Sequence, residues 1–459
     1  MATDPAARPG DTTAWYASVW EFCRRYCDAR FGEEWHLSPE LSILLHADAT
    51  EVPRQVVVHA SAGQNNTLEL PHGTSLFDYH ADPFPEKDLL IQKSGLRLLS
   101  IPACLVRIQP TFYQNCPVEA QVVLSAVRDA SDVLALLLPG DHSVVAGRIA
   151  GGLRRIGRPA IADEISDTMS RTGYRVREVD PFDRNRPLPE IRSATPPIVA
   201  RLQGMWGVMR TMVVWSFPDP PPFPAPADYL RRVEAMYDRD AYHSLSIEGY
   251  RVTPQLIERV RAGAWNPEEN PEDRESRDAM AARGYWLAFQ RVKEAVAAIL
   301  EEPASAARVA RDQHRAWYRE LFQPAVTAGI LESAQLAGYR TNPAYLRDSR
   351  HVPPRAENVR EAMPALFDLL AQEEHPAVRA VLGHWLLGYI HPFPDGNGRV
   401  ARFLMNAMLA SGGYPWTVIR VDERDRYMST LEAASVDQDV GPFTNLVAGA
   451  VRRRLQEIG

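Results

Sequence analysis

The twelve residues from His391 to Arg402 constrain this chain of 459 residues more than any other part of its sequence. They read H-P-F-P-D-G-N-G-R-V-A-R and lie between two segments, 377–390 and 400–410, whose apolar residues recur at three- and four-residue spacings. That spacing predicts a buried helix on each side of the run. Because glycine tolerates sharp turns, residues 396–398 are predicted to turn the chain into the second helix.

The predicted loop carries groups that bind phosphate. A helix N-terminus presents unpaired amide N–H groups and a partial positive charge, and Gly396, Asn397 and Gly398 place their amides there. Arg399 and Arg402 lie one turn apart in the second helix, so their two guanidinium groups face one ligand. The sequence therefore predicts that these five residues bind the phosphates of a nucleotide.

The loop also carries a metal ligand and a base. Asp395 supplies a carboxylate for Mg2+, an ion that keeps several waters and is usually completed by phosphates. His391 supplies an imidazole that could accept the proton of an attacking hydroxyl, and Phe393 is predicted to anchor the loop on the core. A His-Pro pair, a glycine turn or two arginines on a helix is each ordinary when it stands alone. Their combination in this setting favours a catalytic loop.

The string H-P-F-x-D-G-N-G-R-x-x-R resembles the active-site motif of the Fic family of nucleotide-transferring enzymes. The resemblance covers residues from about 197 to 459. It implies a mainly α fold: an all-helical Fic core with a short β-hairpin flap in residues 228–459, preceded by an α+β domain. It also implies transfer of AMP from ATP, with Mg2+, to a Ser, Thr or Tyr hydroxyl of a protein.

The resemblance gives a role to each residue of the loop. His391 is implied to be the base, and the positions implied to hold Mg2+ and ATP are Asp395, Gly396, Asn397, Gly398, Arg399 and Arg402. Asn406 and Tyr427 fall where the family builds its adenine pocket, with core packing as the alternative for each. The intact G-N-G-R argues against the kinase and phosphocholine variants of the family, but it does not separate AMP from UMP or GMP transfer.

A second string, S-L-S-I-E-G from Ser244 to Gly249, resembles the family's inhibitory-helix motif, (S/T)-x-x-x-E-(G/N). It lies before the active-site loop, an arrangement called class II, and it predicts a helix over about 240–250. The resemblance implies that Glu248 pairs with Arg402 and competes with the γ-phosphate of ATP. Two alternatives stay open: Glu248 is an ordinary solvent-facing helix residue, or it orients a water that removes AMP in the reverse reaction.

Residues 338–354 resemble the family's flap, a hairpin that holds the target protein by strand addition. The spacing between Arg340 and Pro354 suits two short strands and a turn, and turn residues occur at Asn342-Pro343 and Asp348-Ser349. The implied partner is a target protein held at the flap. Modification of the protein by itself and formation of a homodimer are two further expectations.

Residues 1–185 are predicted to form an α+β domain of uncertain role. A helix over 15–31 is followed by extended runs at 55–59, 89–92 and 96–106, which predict a small antiparallel sheet. Helical patterns then follow at 118–127, 130–138, 143–156 and 159–173. Residues 186–227 are rich in proline, and they predict a linker with one helix.

Four arginines, Arg148, Arg154, Arg155 and Arg158, alternate with glycines in the last part of this domain. A small-residue helix with arginines can approach phosphate backbones, so one interpretation is a DNA contact. The alternative function is then a nucleotide-sensing, DNA-binding regulator of toxin–antitoxin type. A glycine-rich helix packed tightly and solvated by its arginines fits the same pattern, as does a module for target docking or dimerisation.

Composition narrows the class of protein. A hydrophobic content of 45% suits sizeable cores, and the net charge of −7 excludes a generally basic nucleic-acid binder. The sequence has no signal-like N-terminus and no run as long as a membrane span, so a cytoplasmic protein without a membrane contact is expected. The four cysteines, Cys23, Cys27, Cys104 and Cys116, lack zinc-like spacing and are predicted to be buried thiols.

Overall fold

A computed structural model gives the structure of residues 12–140, 142–183, 188, 195–266, 273 and 276–458. The chain forms two compact units. The first comprises Met1–Val208 together with Tyr345–Pro353, and the second comprises Met209–Ala344 together with Pro354–Gly459. This division falls inside a helix of the predicted linker, further along the chain than residue 185.

The first unit contains the strands of the fold. A four-stranded sheet has the order β1-β2-β4-β3, with its strands at Trp35–Leu37 (β1), Gln55–Ala60 (β2), Asn66–Leu70 (β3) and Thr74–His80 (β4). Strands β5 and β6, at Leu90–Lys93 and Leu96–Leu99, form a separate antiparallel hairpin. The prediction of an α+β domain is therefore confirmed.

Two details of the predicted sheet are wrong. Strands β2 and β4 pair in parallel, because the connection between them includes β3 and lets β4 return in the same direction as β2. The run predicted over 96–106 ends as a strand at Leu99, and a helix follows at Ile101–Arg107. The hydroxyl of Ser100 accepts a hydrogen bond from the N–H of Ala103, and Pro102 stands in the first turn, so a helix start replaces the strand.

The described part of the first unit also contains helices. They are α1 (Thr12–Phe31), α2 (Pro39–His46), α3 (Ile101–Arg107), α4 (Phe112–Asn115), α5 (Pro117–Ala126), α6 (Ser131–Leu137), α7 (Ser143–Arg155), α8 (Pro159–Arg171) and α9 (Pro197–Ser216), the last of which extends into the second unit. The inward residues of α1, among them Val19 and Cys23, pack with Val56 and Val58 of the sheet. The helical patterns predicted for this region are confirmed.

The arginines considered for DNA are engaged within the first unit. Arg154 pairs with Glu178 at 2.8 Å and with Asp163 at 2.6 Å. The others bond nearby groups: Arg148 to the carbonyl of Ile108, Arg155 to Asp180, and Arg158 to the carbonyls of Ser125 and Val127. A Cβ on Gly147 would lie 2.0 Å from the carbonyl oxygen of Arg177, so α7 packs closely against the backbone at Arg177. These contacts favour the packed-helix interpretation and give the DNA-binding alternative no support.

The second unit is helical in its described residues. Its helices are α10 (Pro226–Glu234), α11 (Tyr237–Ile247), α12 (Pro254–Arg261), α13 (Arg277–Glu301), α14 (Ala306–Thr327), α15 (Ala356–Gln372), α16 (Pro376–Ile390), α17 (Asn397–Ala410), α18 (Arg424–Val436) and α19 (Gly441–Ile458). Helix α17 is buried along nearly its whole length and lies against α13, α14 and α16. Among the described helices, none has the length and apolar character needed to cross a membrane.

The predicted flap hairpin is absent. Within residues 338–354 the only strand-like pairing is a single bridge between His351 and Glu51. The N–H of Val352 donates to the carbonyl of Thr50 at 3.1 Å, and the hydroxyl of Thr50 lies 2.9 Å from Nδ1 of His351. The backbone of this segment thus pairs with residues 50–52 of the first unit, to which Tyr345–Pro353 belongs, instead of pairing with itself.

Candidate active site

The loop predicted from the sequence joins α16 to α17. Helix α16 ends at Ile390, and His391 caps it in the left-handed conformation with φ 50° and ψ 59°. Helix α17 begins at Asn397, three residues before the predicted start at Val400, because Gly396 caps it with φ 76°. The loop is therefore short, and the amides of its second half belong to the first turn of a helix.

The side chains of Phe393 and Asn397 fix the shape of the loop. The ring of Phe393 is fully buried and stacks on Tyr318, with the two ring centroids 4.1 Å apart. The side-chain amide of Asn397 donates to the carbonyl of Phe393 at 2.8 Å and accepts from its N–H at 2.9 Å. The anchoring role predicted for Phe393 is confirmed. The amide of Asn397 is engaged with the loop itself, which leaves its backbone N–H as the group suited to phosphate.

Arg399 is a buried cation, and two of its three donor nitrogens lack acceptors in the described part of the chain. It is 1% exposed, and its Nε and Nη2 have no hydrogen-bond partner among the described residues. The rings of Tyr250 and Phe322 lie near it, 5.3 and 5.0 Å from the guanidinium carbon to the ring centroids, and its nearest carboxylate, Asp395, is 3.6 Å away. An unsatisfied buried donor carries a substantial free-energy cost. The arrangement therefore suits an anion that would complete it, as predicted for a phosphate.

Tyr250 and Phe322 are residues of the site that the sequence did not single out. Tyr250 directly follows Gly249, and Phe322 lies in α14, far from the loop along the chain. An aromatic residue at either position is ordinary for a helical core, so the sequence holds no signal that would have marked them.

Arg402 is held by α11. Its Nε donates to the hydroxyl of Ser244 at 2.9 Å, and its Nη2 donates to the carbonyl of Ser244 at 3.1 Å and to Oε1 of Glu248 at 2.7 Å. Its Nη1 has no partner among the described residues. The structure therefore brings together the pair expected from the resemblance, and the solvent-facing interpretation of Glu248 is wrong.

The local structure at Gly249 explains how Glu248 reaches Arg402. Gly249 has φ 84°, a conformation that favours glycine and ends helices. The N–H groups of Gly249 and Tyr250 bond back to the carbonyls of Ser246 and Leu245, and the helix stops directly before Glu248. The glutamate therefore projects from the end of α11.

The electrostatics of the pair favour an ionised glutamate. Burial alone would raise the pKa of Glu248, but the positive charges of Arg402 and Arg399 outweigh it and lower that pKa below its ordinary value. A Cβ on Gly398 would lie only 2.5 Å from Oε1 of Glu248. The carboxylate thus lies directly against the first turn of α17, where the sequence predicts phosphate.

His391 is suited to accept a proton. Burial, followed by the positive charge of Arg340, lowers the pKa of His391 to about 4. The imidazole is therefore neutral near pH 7, which is the form that a general base requires. The histidine backbone is fixed at both ends, because its N–H donates to Leu387 and its carbonyl accepts from Arg340.

Asp395 suits a magnesium ion that the nucleotide completes. Its side chain is 60% exposed, and its Oδ1 accepts the N–H of Gly396 at 2.6 Å. In the described part of the chain, no group of three or more His, Cys, Asp or Glu side chains is arranged to hold a metal. A single exposed carboxylate fits Mg2+, which takes few protein ligands and keeps waters and phosphates as the others.

Asn406 and Tyr427 are both engaged in the core. The amide of Asn406 accepts from the N–H of Thr417 at 2.7 Å and donates to the carbonyl of that residue at 3.0 Å. The hydroxyl of Tyr427 lies 2.8 Å from Nε2 of His384, and both Asn406 and Tyr427 are 1% exposed. These contacts favour the core-packing alternative over a contact with adenine.

The region that contains the loop is similar to known proteins. Residues 308–409, a region that includes the loop, match the Fic/DOC family. The chain is 40% identical over 121 residues to the protein adenylyltransferase Fic of Nematostella vectensis, covering 26% of this chain and 28% of that protein. It is 36% identical over 131 residues to the protein adenylyltransferase Fic of Drosophila willistoni, covering 28% and 26%. The match thus spans less than a third of each of these relatives.

Solved structures of Fic proteins show a weaker likeness. Fic-1 of C. elegans (residues 134–508) is 19% identical, with a TM-score of 0.41, over 71% of this chain and 90% of that chain. A Fic-domain signalling protein of Bacteroides thetaiotaomicron is 20% identical, with a TM-score of 0.38, over 56% and 95%.

Proposed function

We propose that this protein transfers AMP from ATP to a hydroxyl group of a protein, and that Glu248 restrains the reaction. The observation that carries the proposal is the buried guanidinium of Arg399, which has two donors without acceptors at the start of α17. A polyphosphate would satisfy those donors and would also lie at the positive end of the helix. The names of the relatives, all protein adenylyltransferases, agree with ATP as the donor.

The proposed transfer needs only a base and groups that stabilise the phosphates of ATP. The oxygen of the target hydroxyl attacks the α-phosphorus of ATP, and the neutral imidazole of His391 takes its proton. The bond from the α-phosphorus to the oxygen that bridges to the β-phosphate breaks, and pyrophosphate leaves with the electron pair. The first-turn amides of α17 and the guanidinium of Arg399 stabilise the phosphates electrostatically, as in other phosphoryl transfers.

Asp395 is the residue that would hold Mg2+ in this reaction. The bound ion would neutralise charge on the phosphates and would supply no covalent chemistry. The support is the exposure of the carboxylate and its place at the turn into α17.

The restraint on AMP transfer follows from the hydrogen bonds that Arg402 makes to Ser244 and Glu248. Because Glu248 and Ser244 use its Nε and Nη2, only Nη1 is left to a γ-phosphate unless the pair opens. A negative carboxylate beside that phosphate also repels it. ATP would then bind weakly, or in a pose unsuited to attack at the α-phosphorus, which is the class II behaviour expected from the sequence.

The same pair favours a second candidate activity, the removal of AMP from a modified protein. Glu248 is held at the start of α17 and is kept ionised by Arg402 and Arg399. An ionised carboxylate in that place could orient a water for attack on a phosphodiester. Loss of Glu248 would then abolish removal while it raises transfer.

The test compares the wild type, Glu248→Gly and Glu248→Gly/His391→Ala. Each protein is incubated with Mg2+ and α-labelled ATP, alone and with cell lysate, so that self-modification and target modification are both detected. Label that is weak in the wild type, strong in the single variant and absent in the double variant would support the proposal. A single variant that binds ATP but transfers no label would contradict AMP transfer, and UTP and GTP would be tried next.

A further inference from the structure

Arg340 binds the backbone at the start of the active-site loop. Its side chain is nearly buried, at 5% exposure. Its Nε donates to the carbonyl of His391 at 2.7 Å, its Nη2 donates to the carbonyl of Ile390 at 3.4 Å, and its own backbone N–H donates to the carbonyl of Pro392 at 2.8 Å. Three successive carbonyls, centred on the proposed base, are therefore held by one residue.

The same guanidinium binds the two ends of the segment that precedes α15. Its Nη1 donates to the carbonyl of Asn342 at 3.0 Å, and its Nη2 also donates to the carbonyl of Pro354. Asn342 precedes Tyr345–Pro353 and Pro354 directly follows it, so both acceptors belong to the second unit and flank that segment. The guanidinium thus joins the loop of His391 to the two residues that flank Tyr345–Pro353.

The acceptors of Arg340 are carbonyls and not carboxylates. Among the described residues no acidic side chain pairs with it. Two of its acceptors, Ile390 and His391, lie at the C-terminus of α16, where unpaired carbonyls and the helix dipole favour a cation. Burial lowers the pKa of Arg340 to about 10, so the side chain is still charged near pH 7.

We propose that Arg340 is a positioning residue for the transfer step, one that orients the imidazole of His391 and fixes it relative to the backbone of Asn342 and Pro354. His391 has a left-handed backbone conformation, which a residue with a side chain seldom adopts without bonds that hold it. The hydrogen bond from Nε of Arg340 to the carbonyl of His391 stabilises this backbone conformation. This inference rests on the proposed function.

Phe393 anchors the loop independently of Arg340, so the loop should keep its place when Arg340 is substituted. Phe393 is packed against Tyr318 and Tyr339, and the hydroxyl of Tyr339 lies 2.8 Å from Nε2 of the buried His314. These contacts do not involve the guanidinium of Arg340. The loop is therefore expected to stay in place without it, while the backbone of His391 loses its orientation.

The experiment uses the full chain with Glu248→Gly, to which Arg340→Met or Arg340→Lys is added. The control is Arg379→Met, because Arg379 lies at the other end of α16 and its Nε also donates to a backbone carbonyl, that of Glu373, at 2.5 Å. The single-turnover rate of AMP transfer is measured at saturating ATP, and the dissociation constant of Mg2+–ATP is measured by calorimetry. The two quantities separate orientation of the base from binding of the nucleotide.

We expect Arg340→Met to lower the transfer rate about tenfold or more, since small misplacements of reacting groups are costly, while ATP affinity stays within about twofold. Arg340→Lys should recover part of the rate, because an ammonium replaces only some of the bonds. Arg379→Met should match its parent in both quantities. Equal rates in Arg340→Met and its parent, or equal losses of rate and ATP affinity, would overturn the proposal.

A readout independent of activity accompanies the kinetics. Amide hydrogen exchange, followed by mass spectrometry, should be faster in Arg340→Met than in its Glu248→Gly parent. The increase is expected in peptides from residues 388–395 and in peptides from residues 340–344. Arg379→Met should leave those peptides unchanged. If no variant transfers AMP, the proposed function fails, and unchanged exchange at 388–395 would still contradict the hold that Arg340 exerts on the loop.

Discussion

Arg402 of the active-site helix donates a hydrogen bond to the carboxylate of Glu248 at 2.7 Å, across 154 residues of sequence. Arg402 also donates two hydrogen bonds to Ser244, which lies in the last turn of α11, four residues before Glu248. The cation that the proposed function assigns to a phosphate is thus bonded to groups of its own chain. Under the proposed function, the strength of this pairing would set how readily the γ-phosphate of ATP binds Arg402.

Ser244→Ala should raise AMP transfer, though less than Glu248→Gly does. The substitution removes the hydroxyl that accepts from Nε of Arg402, and a hydrogen bond to a charged group contributes about 1.5–3 kcal/mol. The carbonyl of Ser244 and the carboxylate of Glu248 still bind the arginine, so relief is partial. Label incorporation from α-labelled ATP measures the change. Ser246→Ala, in the same motif, is the control, and equal activation by both variants would contradict a specific role for Ser244.

Arg399→Met should lower ATP affinity without lowering the stability of the protein. The guanidinium is buried and its Nε and Nη2 lack partners, so its replacement by an apolar chain of similar length removes a desolvation cost of about 1–3 kcal/mol. ATP loses a phosphate contact at the same time, and binding should weaken about tenfold or more. Calorimetry gives the affinity, and urea unfolding gives the stability. A variant that unfolds more easily and binds ATP as wild type does would reverse both expectations.

Gly396→Ala should destabilise the second unit. Gly396 has φ 76°, and a Cβ there would lie 2.8 Å from Cε2 of Phe322, so backbone strain and a steric clash combine to about 1–3 kcal/mol. Gly388→Ala is the matched control, because Gly388 lies inside α16 and its added Cβ meets no atom within 4 Å. The control should keep or slightly raise the midpoint of urea unfolding. Equal midpoints for the two variants would contradict the requirement for glycine at 396.

The transfer rate of Glu248→Gly should stay constant from neutral pH down to about pH 5. Burial and Arg340 lower the pKa of His391 to about 4, so the base is neutral above that pH and becomes protonated, and inactive, only as the pH falls through it. Glu248 and Asp395 raise the pKa of His391, so the loss of Glu248 moves the acid limb further from neutrality. Single-turnover rates at saturating ATP test this, and an acid limb near pH 6.5 would contradict it.

The flap shows where sequence patterns fail. Residues 338–354 carry the turn residues of a hairpin, yet the segment pairs at His351 with Glu51, about three hundred residues away. Turn chemistry is local, but an extended segment forms its ladder with whichever backbone edge lies beside it. The same limit applies to Asn406 and Tyr427, whose chemistry suits either a ligand or the core. Their partners, Thr417 and His384, become visible only when the helices pack.

The sequence by itself determined the features that depend on neighbours along the chain. These are the two helices around the loop, the glycine turn before α17 and the carboxylate at Asp395. The pairing of Glu248 with Arg402, across 154 residues, was implied only by the resemblance of a second motif. Only the tertiary structure decided that Arg399 is enclosed by Tyr250 and Phe322, and that Arg340 holds the backbone of His391. The physical reason is that a buried cation is defined by the atoms around it, and packing brings those atoms from segments with no fixed spacing in sequence.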